Sequence, residues 1–407
     1  MTILLIGHDA NRAGAQLVLL QLMQRLEAQG FALFLLLGEG GPLLADYEKL
    51  ASVTIWPKPE KYVVGPTTDK ILGKLGLWQQ QADRQHQQQR ETLHTALQLD
   101  SIDLVVVNTV TSGHYFKQLP VSDNVPVLAF VHELAMSVNQ YTKPDELRYL
   151  LERATRILAV SKATARYYET VWHVSPNRIT LFTLIDLPAI QQALDAAKTR
   201  KGALPGLDNL PENAIVVGGC GNAEWRKGTD LFVSLARMLI NQIPAEQPPV
   251  YFVWVGLPPG PLHNDLTLDV AKANLTNRVR FVAPTPDVLR YMERFDLFLL
   301  CSREDPYPLV MLEAGLSGVP VVCFDGAGGA AELVETDGGA VVPYLDLLAM
   351  TQALQELVTR ADIRRQKGQT LRQKIRQRHS LQQSTDQFLA LIANLVPAVE
   401  QAITRKK

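Results

Sequence analysis

Short apolar runs alternate with longer amphipathic segments along almost the whole chain. Each run is rich in Val, Ile, Leu or Phe and is usually ended by Gly, Ser, Asn or a charged residue, which is typical of strands buried on both faces of a parallel sheet. The predicted strands are Ile3–Ile6, Ala32–Leu37, Leu104–Val107, Val127–Val131, Ile157–Val160, Ile179–Phe182, Ala214–Val217, Tyr251–Val255, Val279–Val282, Leu297–Leu300, Val319–Cys323 and Gly339–Val342.

Helix-length segments lie between these runs. The predicted helices include Leu17–Gln29, Ala163–Val171, Asp230–Ile240, Leu312–Leu316 and a tail helix over Leu381–Leu395. Alternating strands and helices predict a doubly wound α/β architecture. The alternation breaks once, at the polar, Gly- and Pro-bearing residues Ala196–Asn213. We therefore expect an N-terminal Rossmann-like domain over residues 1–195, a linker over 196–213, a second such domain over 214–379 and a C-terminal helix over 380–407.

Composition narrows the class of protein. A chain of 407 residues is long enough for two or three domains, and its 47% apolar and 20% charged residues are typical of a globular protein. Forty basic residues against 41 acidic ones give a formal charge of −1, which argues against nucleic acid as a partner. No apolar run approaches the ~18–20 residues of a membrane-spanning helix, and the first nine residues lack the basic start of a signal peptide. The expected location is the cytoplasm.

The cysteines fit that location. Cys220, Cys301 and Cys323 are scattered among apolar residues, without the paired spacing of a metal site. Buried, reduced thiols are therefore expected.

Two segments have unusual polar composition. Lys74–Leu97 contains two runs of three glutamines and predicts a long exposed helix or loop inserted in the first half. Arg360–Arg378 carries eight basic residues against one acid, Asp362. Two interpretations of this basic segment stay open: peripheral contact with an anionic membrane surface, at the inner face of the membrane, and a solvated helix face.

The most informative segment runs from Cys301 to Val322. A predicted strand leads into a polar turn with two prolines and then into a helix, so that the turn lies at the carboxyl end of a strand, where open α/β sheets bind ligands. With Pro308 at the first helical position, the free amides of Leu309 and Val310 would form an anion site. Glu313, one turn further, could accept hydrogen bonds from ligand hydroxyls, and Asp305 would approach from the turn. This arrangement suits a nucleotide, although either acid could instead interact only with the helix dipole.

A second segment supplies positive charge. After the strand that ends near Val217 comes a glycine-rich loop with Gly221, then Arg226, Lys227 and a helix. Glycines permit a close approach of the backbone, and the two cations could neutralise a diphosphate leaving group. The loop matches neither a Walker phosphate loop nor G-x-G-x-x-G, so ATP hydrolysis and nicotinamide chemistry lose support.

Three further features are weaker signals. Gly328 and Gly329 precede a helix-like segment that includes Glu332, which is also what an ordinary strand-to-helix turn looks like. A comparable loop with Gly14 follows the first strand. His132 comes directly after the strand Val127–Val131, and a histidine in such a position is more often structural than functional.

Together and in this order, these segments resemble glycosyltransferase family 4, whose members are retaining enzymes with the GT-B fold. The resemblance covers nearly the whole chain and is strongest from Asp305 through Glu313 to Val322, where family members have Glu, seven residues, Glu and then Ala-Met-Ala-x-Gly-x-Pro-Val-Val. Supporting matches are Arg226-Lys227-Gly228, Gly328-Gly329-Ala330-Ala331-Glu332, Val160-Ser161-Lys162 and Ala13-Gly14-Ala15-Gln16.

The resemblance implies two Rossmann-like doubly wound parallel-sheet domains facing across a cleft, with the tail helix returning to the N-terminal domain. The second domain would bind a nucleotide-diphosphate sugar and the first a saccharide or glycolipid acceptor. No metal and no cofactor beyond this co-substrate are expected, and the chain contains no Asp-x-Asp. Family members build surface polysaccharides and glycolipids. The resemblance leaves the donor base, UDP or GDP, open.

The resemblance also implies roles for single residues. Arg226 and Lys227 match the basic pair that holds the donor diphosphate, and Glu313 matches the acid that binds the ribose hydroxyls. Asp305 matches the acid that contacts the transferred sugar. His132 matches a histidine near the sugar's 6-hydroxyl, and Gly14 belongs to the loop beside the phosphates.

This chain departs from the family pattern at three positions. Asp305 is one methylene shorter than the usual Glu, Pro308 stands where a glycine is frequent, and Ala13 replaces a glycine. Two alternatives to the transferase therefore stay open: a sugar-nucleotide epimerase of the same fold, and a catalytically degenerate, transferase-like binding protein.

Overall fold

The structure is a computed structural model that describes residues 1–57, 77–244 and 246–396. The chain forms two compact units. The first consists of Met1–Ala159, Tyr168–Leu184 and the chain from Ser384 onwards, and the second of Val160–Tyr167 and Ile185–Gln383.

The first unit contains a seven-stranded sheet in which all strand pairs are parallel, in the order β3-β2-β1-β4-β5-β6-β7. Its central strands β1, β4 and β5 are almost fully buried, as expected for strands covered on both faces. The strands are β1 Thr2–Gly7, β2 Ala32–Leu37, β3 Ser52–Ile55, β4 Leu104–Asn108, β5 Val127–Val131, β6 Arg156–Ala159 and β7 Ile179–Leu181.

The second unit repeats this topology with six parallel strands in the order β10-β9-β8-β11-β12-β13. Alternate residues of each strand enter different apolar cores: Val216 and Val253 pack on one face of the sheet, Val217 and Phe252 on the other. The strands are β8 Ile215–Cys220, β9 Val250–Val255, β10 Val279–Val282, β11 Leu297–Leu300, β12 Val321–Phe324 and β13 Gly339–Val342.

The described residues form sixteen α-helices. In chain order they are α1 Gly14–Ala28, α2 Leu44–Glu48, α3 Leu77–Ala96, α4 Gly113–Gln118, α5 Ala135–Tyr141, α6 Pro144–Arg153, α7 Lys162–Thr170, α8 Leu187–Thr199, α9 Thr229–Ile240, α10 Pro261–Lys272, α11 Val288–Met292, α12 Leu309–Leu316, α13 Ala330–Val334, α14 Leu347–Thr359, α15 Ala361–Arg378 and α16 Leu381–Leu395. None of them combines the length and the apolar composition that crossing a bilayer requires.

All twelve predicted strands are present, with ends that differ by up to three residues. The sequence pattern missed β3, because this short edge strand has no buried residue and so lacks an apolar run. The predicted helix or loop Lys74–Leu97 contains α3; its first three residues lie outside the described part of the chain, as do the side chains of residues 77–86.

The division between the units also differs from the expected linker. The second unit takes up the chain again at Ile185, and residues 196–199 complete α8. Leu204 and Leu207 are buried in the core of the second unit. Residues 196–213 are polar in composition, yet these two leucines anchor them to the second sheet instead of leaving them as an exposed connection.

The basic segment Arg360–Arg378 forms α15, and most of its cations bind groups of the second unit. Lys374 is buried against Glu335 and Asp337 at 2.6 and 2.5 Å, and Lys367 donates to the carbonyls of Thr336 and Gly339. Lys374 and Arg378 lower the pKa of Glu335 to about 2. The segment is therefore a docked helix, and its engaged cations give the membrane interpretation no support.

The strand order determines where ligand-binding loops can lie. In both sheets the chain crosses to the opposite side after three strands, so that β1 and β4, and likewise β8 and β11, flank a switch point. Loops at the carboxyl ends of such strands border a crevice. The loops after β8 and β11 carry the predicted donor residues.

Candidate active site

The loop after β8 depends on glycine at two positions. Gly221 has φ 140°, a conformation that side chains rarely allow, and donates its N–H to the Val255 carbonyl at 3.0 Å. Gly228 has φ 71°, and a Cβ there would lie 2.1 Å from the carbonyl oxygen of Cys301. Between them, Trp225–Lys227 form one turn of 3₁₀ helix. The glycines thus let this loop fold tightly against the loop that follows β11.

Lys227 and Asp305 meet where these two loops touch. The Lys227 ammonium donates to a carboxylate oxygen of Asp305 at 2.6 Å, and the two side chains are only 15% and 9% exposed. The Asp305 N–H donates to the Ala327 carbonyl at 2.7 Å, and a Cβ at Gly328 would lie 1.9 Å from the Asp305 carbonyl oxygen. Gly328 therefore serves to bring a third loop close enough to hold Asp305.

Arg226 lies on the same turn and is held by its neighbours. Its guanidinium donates to the Glu304 carbonyl at 2.9 Å and to the Glu224 carboxylate at 2.7 Å. Its own carbonyl accepts the N–H of Arg303 at 2.7 Å. Both predicted cations are thus fixed beside the loop after β11.

The residues of the predicted anion site lie at the start of α12, with one difference. Pro308 is the N-cap with extended backbone (ψ 116°) and not the first helical residue, because its carbonyl accepts the Met311 N–H at 3.2 Å. Leu309 and Val310 follow it. Among the described residues no acceptor faces their N–H groups. These two amides are therefore available to an anion.

Glu313 lies one turn into α12. Burial raises the pKa of its carboxyl to about 7, and no cation or hydrogen-bond donor of the described residues contacts it. Burial also raises the pKa of Cys220 to about 12; the charge of Glu313 adds to this effect and that of Lys227 opposes it. Both charged groups therefore lie near the end of β8. Cys220, Lys227 and Glu313 belong to one neighbourhood.

Sequence reasoning missed Arg303, which clamps the basic turn. Its guanidinium makes two hydrogen bonds to the Asp230 carboxylate at 2.8 and 2.7 Å and one to the Trp225 carbonyl at 2.7 Å. It also lies 4.5 Å from the centre of the Trp225 ring, a cation–π contact. An arginine two residues before the acid at position 305 was the available signal, but its partner Asp230 lies 73 residues away in sequence.

The first unit contains the other two predicted site residues, His132 and Gly14. His132 Nε2 lies 2.9 Å from Asn108 Oδ1, which accepts its proton, and Phe130 packs against the ring at a centroid distance of 4.1 Å. Burial, aided by the charge of His8, lowers the pKa of His132 to about 3. His132 is therefore neutral, with a hydrogen on Nε2.

Gly14 is the first residue of α1, after the extended N-cap Ala13. The Ala13 carbonyl accepts the Leu17 N–H, and within the described part of the chain no acceptor binds the amides of Gly14 and Ala15. A glycine here has no side chain that could shield these amides.

The structure adds a polar cluster that the sequence did not reveal. His8 Nδ1 lies 3.1 Å from the Thr109 hydroxyl, and Gln16 donates to Asp9 at 2.6 Å. Thr109 has φ 72°, a strained conformation for a β-branched residue, and strain of this kind clusters at functional sites. His8 and Asp9 follow β1 and Thr109 follows β4, at the switch point of the first sheet, while Gln16 lies on α1.

Comparison with known proteins identifies the family. The model described as Glycosyltransferase Family 4 matches residues 12–182, and the model described as Glycosyl transferases group 1 matches residues 213–360. The chain belongs to glycosyltransferase family 4. Among curated relatives, the lipopolysaccharide core biosynthesis mannosyltransferase LpsB of Rhizobium meliloti is 32% identical over 213 residues, which are 51% of this chain and 56% of LpsB. The aligned part thus spans about half the length of such relatives.

Solved structures resemble this chain over almost its whole length. Sucrose-phosphate synthase from Thermosynechococcus elongatus is 20% identical with a TM-score of 0.70, covering 98% of this chain and 99% of the synthase. Anabaena HepE, in a complex with UDP and glucose, is 18% identical with a TM-score of 0.66, covering 97% of this chain and all of HepE. At these identities the likeness concerns the fold, which is GT-B, with two Rossmann-like domains.

Proposed function

We propose that this family 4 protein is a retaining glycosyltransferase that moves a sugar from a nucleotide-diphosphate sugar to a saccharide or glycolipid acceptor. The observation that carries the proposal is the group of Lys227, Asp305, the Leu309 and Val310 amides and Glu313 around one switch point of the second unit. Fixed cations and amides, with two acids nearby, suit a diphosphate flanked by hydroxyl-bearing sugars.

In this proposal the second unit binds the donor. The diphosphate lies against the α12 amides and the basic turn, the ribose hydroxyls donate to Glu313, and the transferred sugar donates to Asp305. Because Lys227 is paired with Asp305 in the free protein, the arriving phosphate shares the ammonium and releases carboxylate oxygens for sugar hydroxyls. A Cβ at Gly221 would lie 3.7 Å from the Lys227 side chain, so its absence leaves room for the ligand to approach the backbone there.

The chemical step breaks the bond between the sugar's anomeric carbon and the diphosphate oxygen, which takes the electron pair. An acceptor hydroxyl attacks from the same face, and its proton goes to the departing phosphate oxygen. Lys227, Arg226 and the two amides stabilise charge that grows on the diphosphate in the transition state, so they lower the barrier more than they strengthen binding of the donor. No enzyme nucleophile and no further cofactor is needed in this scheme.

The first unit contributes neutral hydrogen-bonding groups. Its His132 is uncharged near pH 7, so it can contact a sugar hydroxyl without competing for the diphosphate. The free Gly14 amide is assigned to the phosphate side of the donor, by resemblance to the family. LpsB is named for lipopolysaccharide core biosynthesis, which supports a role in building a surface polysaccharide or glycolipid.

The test is release of nucleoside diphosphate from UDP- and GDP-sugars, measured with and without a lipopolysaccharide-core acceptor. We expect release only with the acceptor, and a product that keeps the donor's anomeric configuration. Lys227→Ala should lower turnover by about 10²–10³-fold, because one preorganised charge contact to the leaving group is lost. Lys272→Ala, a change at an exposed lysine at the end of α10, is the matched control and should leave turnover unchanged.

The alternatives give different results in the same assay. An epimerase would convert the donor into an isomeric nucleotide sugar without any acceptor and without net release of nucleoside diphosphate. A degenerate binding protein would bind nucleotide and release nothing. Full activity of Lys227→Ala would show that Lys227 does not have the proposed role. The transferase activity itself is tested separately, by whether release depends on the acceptor.

A further inference from the structure

The first unit contains a cavity of about 410 Å³ that none of the predicted site residues lines. It lies beside the end of β3 and is bordered by α3, α4 and α6. This volume is in the range of small-molecule sites, roughly 300–1,000 Å³. Its lining includes Trp56, Gln89, Arg90, His114, Lys117 and Glu146. One large aromatic ring amid planar polar side chains is a lining suited to a polyhydroxylated ring with one apolar face.

The aromatic wall is fixed. The backbone N–H of Trp56 donates to the Leu37 carbonyl at 2.6 Å, and the Tyr115 ring packs on the indole at a centroid distance of 5.2 Å. Tyr115 in turn fits over Gly38, where a Cβ would lie 2.0 Å from the phenol oxygen. The sequence thus forms a rigid aromatic wall at this edge of the sheet.

The polar wall is also preorganised. His114 Nδ1 lies 2.8 Å from the buried carboxylate of Glu146, which accepts its proton, and Gln118 donates to His114 Nε2 at 3.0 Å. Lys143 approaches the same Glu146 oxygen at 3.3 Å. The single acid of the lining is therefore already engaged by two partners, and hydrogen-bonding groups are held at fixed positions before any ligand arrives.

The remaining charge of the lining is positive. Arg90 is exposed, and among the described residues no acid pairs with its guanidinium. Lys117 pairs with Asp145 at 2.5 Å, but this ion pair is at the surface and contributes little, so a ligand anion can replace it. Two cations against one engaged acid favour a ligand with a negative group.

We propose that this cavity binds a saccharide unit that carries an anionic group, a carboxylate or a phosphate. Trp56 packs against the sugar ring, the amide oxygens of Gln89 and Gln118 accept hydrogen bonds from its hydroxyls, and Arg90 and Lys117 bind the anionic group. The assignment of the bound saccharide unit to the acceptor rests on the proposed function. The binding of the saccharide to the cavity does not depend on it.

The experiment is saturation-transfer NMR on the full chain with four probes: glucuronate, glucose 6-phosphate, glucose and inorganic phosphate. Glucuronate and glucose share a ring and differ at C6, so they isolate the anion. We expect both anionic sugars to bind at least about tenfold more tightly than glucose, as one charge-assisted hydrogen bond to Arg90 would give. Inorganic phosphate, detected by competition against glucuronate, should displace it only weakly.

Arg90→Gln should abolish the preference for the anionic sugars, whereas Arg148→Gln, at an exposed arginine of α6 outside the cavity, should preserve it. Because Arg90 is exposed, its replacement leaves the fold intact, which the melting temperature checks. Equal binding of glucose and glucuronate, no binding of either anionic sugar, or an unchanged preference in Arg90→Gln would overturn the proposal. Phosphate binding as strong as that of glucose 6-phosphate would do so too, by showing a plain anion site.

UDP and GDP in the same samples separate this proposal from the proposed function. If the signals of either nucleotide appear and those of the anionic sugars do not, the cavity proposal fails and the donor site stands. If the anionic sugars bind and no nucleotide does, the cavity proposal stands and the transferase proposal fails.

Discussion

Glu313 is an unusual residue for a folded protein. A carboxylate that is largely buried without a cation costs free energy, and this cost appears as the rise of its pKa to about 7. Structural acids normally show the opposite, as Glu335 does beside Lys374 and Arg378. A destabilising group retained at a switch point is better explained by ligand binding than by stability.

Replacing Glu313 by Gln tests this explanation through its pH dependence. The native carboxyl holds its proton up to pH about 7, whereas the unfolded chain loses it near 4.5, so wild-type stability falls as pH rises from 4.5 to 7. Glu313→Gln removes this loss and should be more stable than wild type at pH 8, by about 1–3 kcal/mol, but not at pH 4. Chemical denaturation at the two pH values measures both differences.

The same variant should bind nucleotide more weakly. Wild-type affinity for UDP or GDP should rise as pH increases through 7, because only the ionised carboxyl accepts two hydroxyl protons, and Glu313→Gln should lose this pH dependence. Calorimetry at pH 6 and 8 provides the measurement, with Glu356→Gln on the exposed side of α14 as control. A Gln variant with unchanged affinity and the same pH profile would exclude the ribose role.

Single site residues could be predicted only where they belong to a pattern of residues close together in sequence. The spacing from Asp305 to Glu313 and the sequence of Arg226 and Lys227 are local patterns, so they could be recognised. The ion pair between Lys227 and Asp305 could not be recognised, because these residues are 78 positions apart in sequence. They meet only because β8 and β11 are neighbours in the sheet. The strained Thr109 shows no sequence signal at all.

At the scale of elements, the 3₁₀ turn Trp225–Lys227 is too short to hold its own shape. It has a glycine in the left-handed conformation at its end, and Trp225 is 63% exposed. Its order comes from Arg303, which bonds the turn's carbonyls and Asp230 at the start of α9. This clamp fixes the position from which Lys227 extends.

We expect Arg303→Gln to lower kcat by about 10–100-fold, the worth of one to two charge-assisted hydrogen bonds, with a smaller change in KM. We expect kcat to change more than KM, because the clamp positions Lys227, and in the proposed mechanism Lys227 stabilises the transition state. Arg303→Lys should not restore activity, since an ammonium cannot bind Asp230 in the bidentate geometry.

A double-mutant cycle with Asp230→Asn provides the control. If the two residues act as one clamp, the double variant should be no worse than either single variant. Strictly additive losses, or equal changes in KM and kcat, would contradict a positioning role. A lower melting temperature with unchanged kcat would show that the clamp serves stability alone.

Strands could be predicted where burial requires an uninterrupted run of apolar residues. Central strands such as β8 are apolar throughout, because helices cover both faces of the sheet. The edge strand β3 is partly exposed and has no such run. The segment 196–213 was predicted to be a linker because it is mostly polar. Its few apolar residues, Leu204 among them, nevertheless anchor it to the core of the second unit.

At the scale of the whole molecule, the same sheet topology occurs twice, with different functional groups at its two switch points. Both sheets present loops at a switch point. The second carries an ion pair, free helix amides and an acid without a cation, whereas the first carries an uncharged histidine, free helix amides and the carboxylate of Asp9. The cations at the second switch point suit a charged nucleotide, and the hydrogen-bonding groups at the first suit sugar hydroxyls.

Nucleotide binding should therefore be visible in the stability of the whole chain. A ligand that binds only the folded protein stabilises it by about 2.7 kcal/mol at a hundred times its Kd. For units of this size each kcal/mol raises Tm by roughly 2–4 °C. We expect UDP or GDP to raise Tm by several degrees, UMP or GMP by less, and the free nucleosides hardly at all, because the α12 amides and Lys227 act on the diphosphate. The base that gives the larger shift identifies the donor class. Equal shifts from nucleoside and diphosphate would mean that the base alone drives binding, and the diphosphate site at the β8–β11 switch point would have to be abandoned.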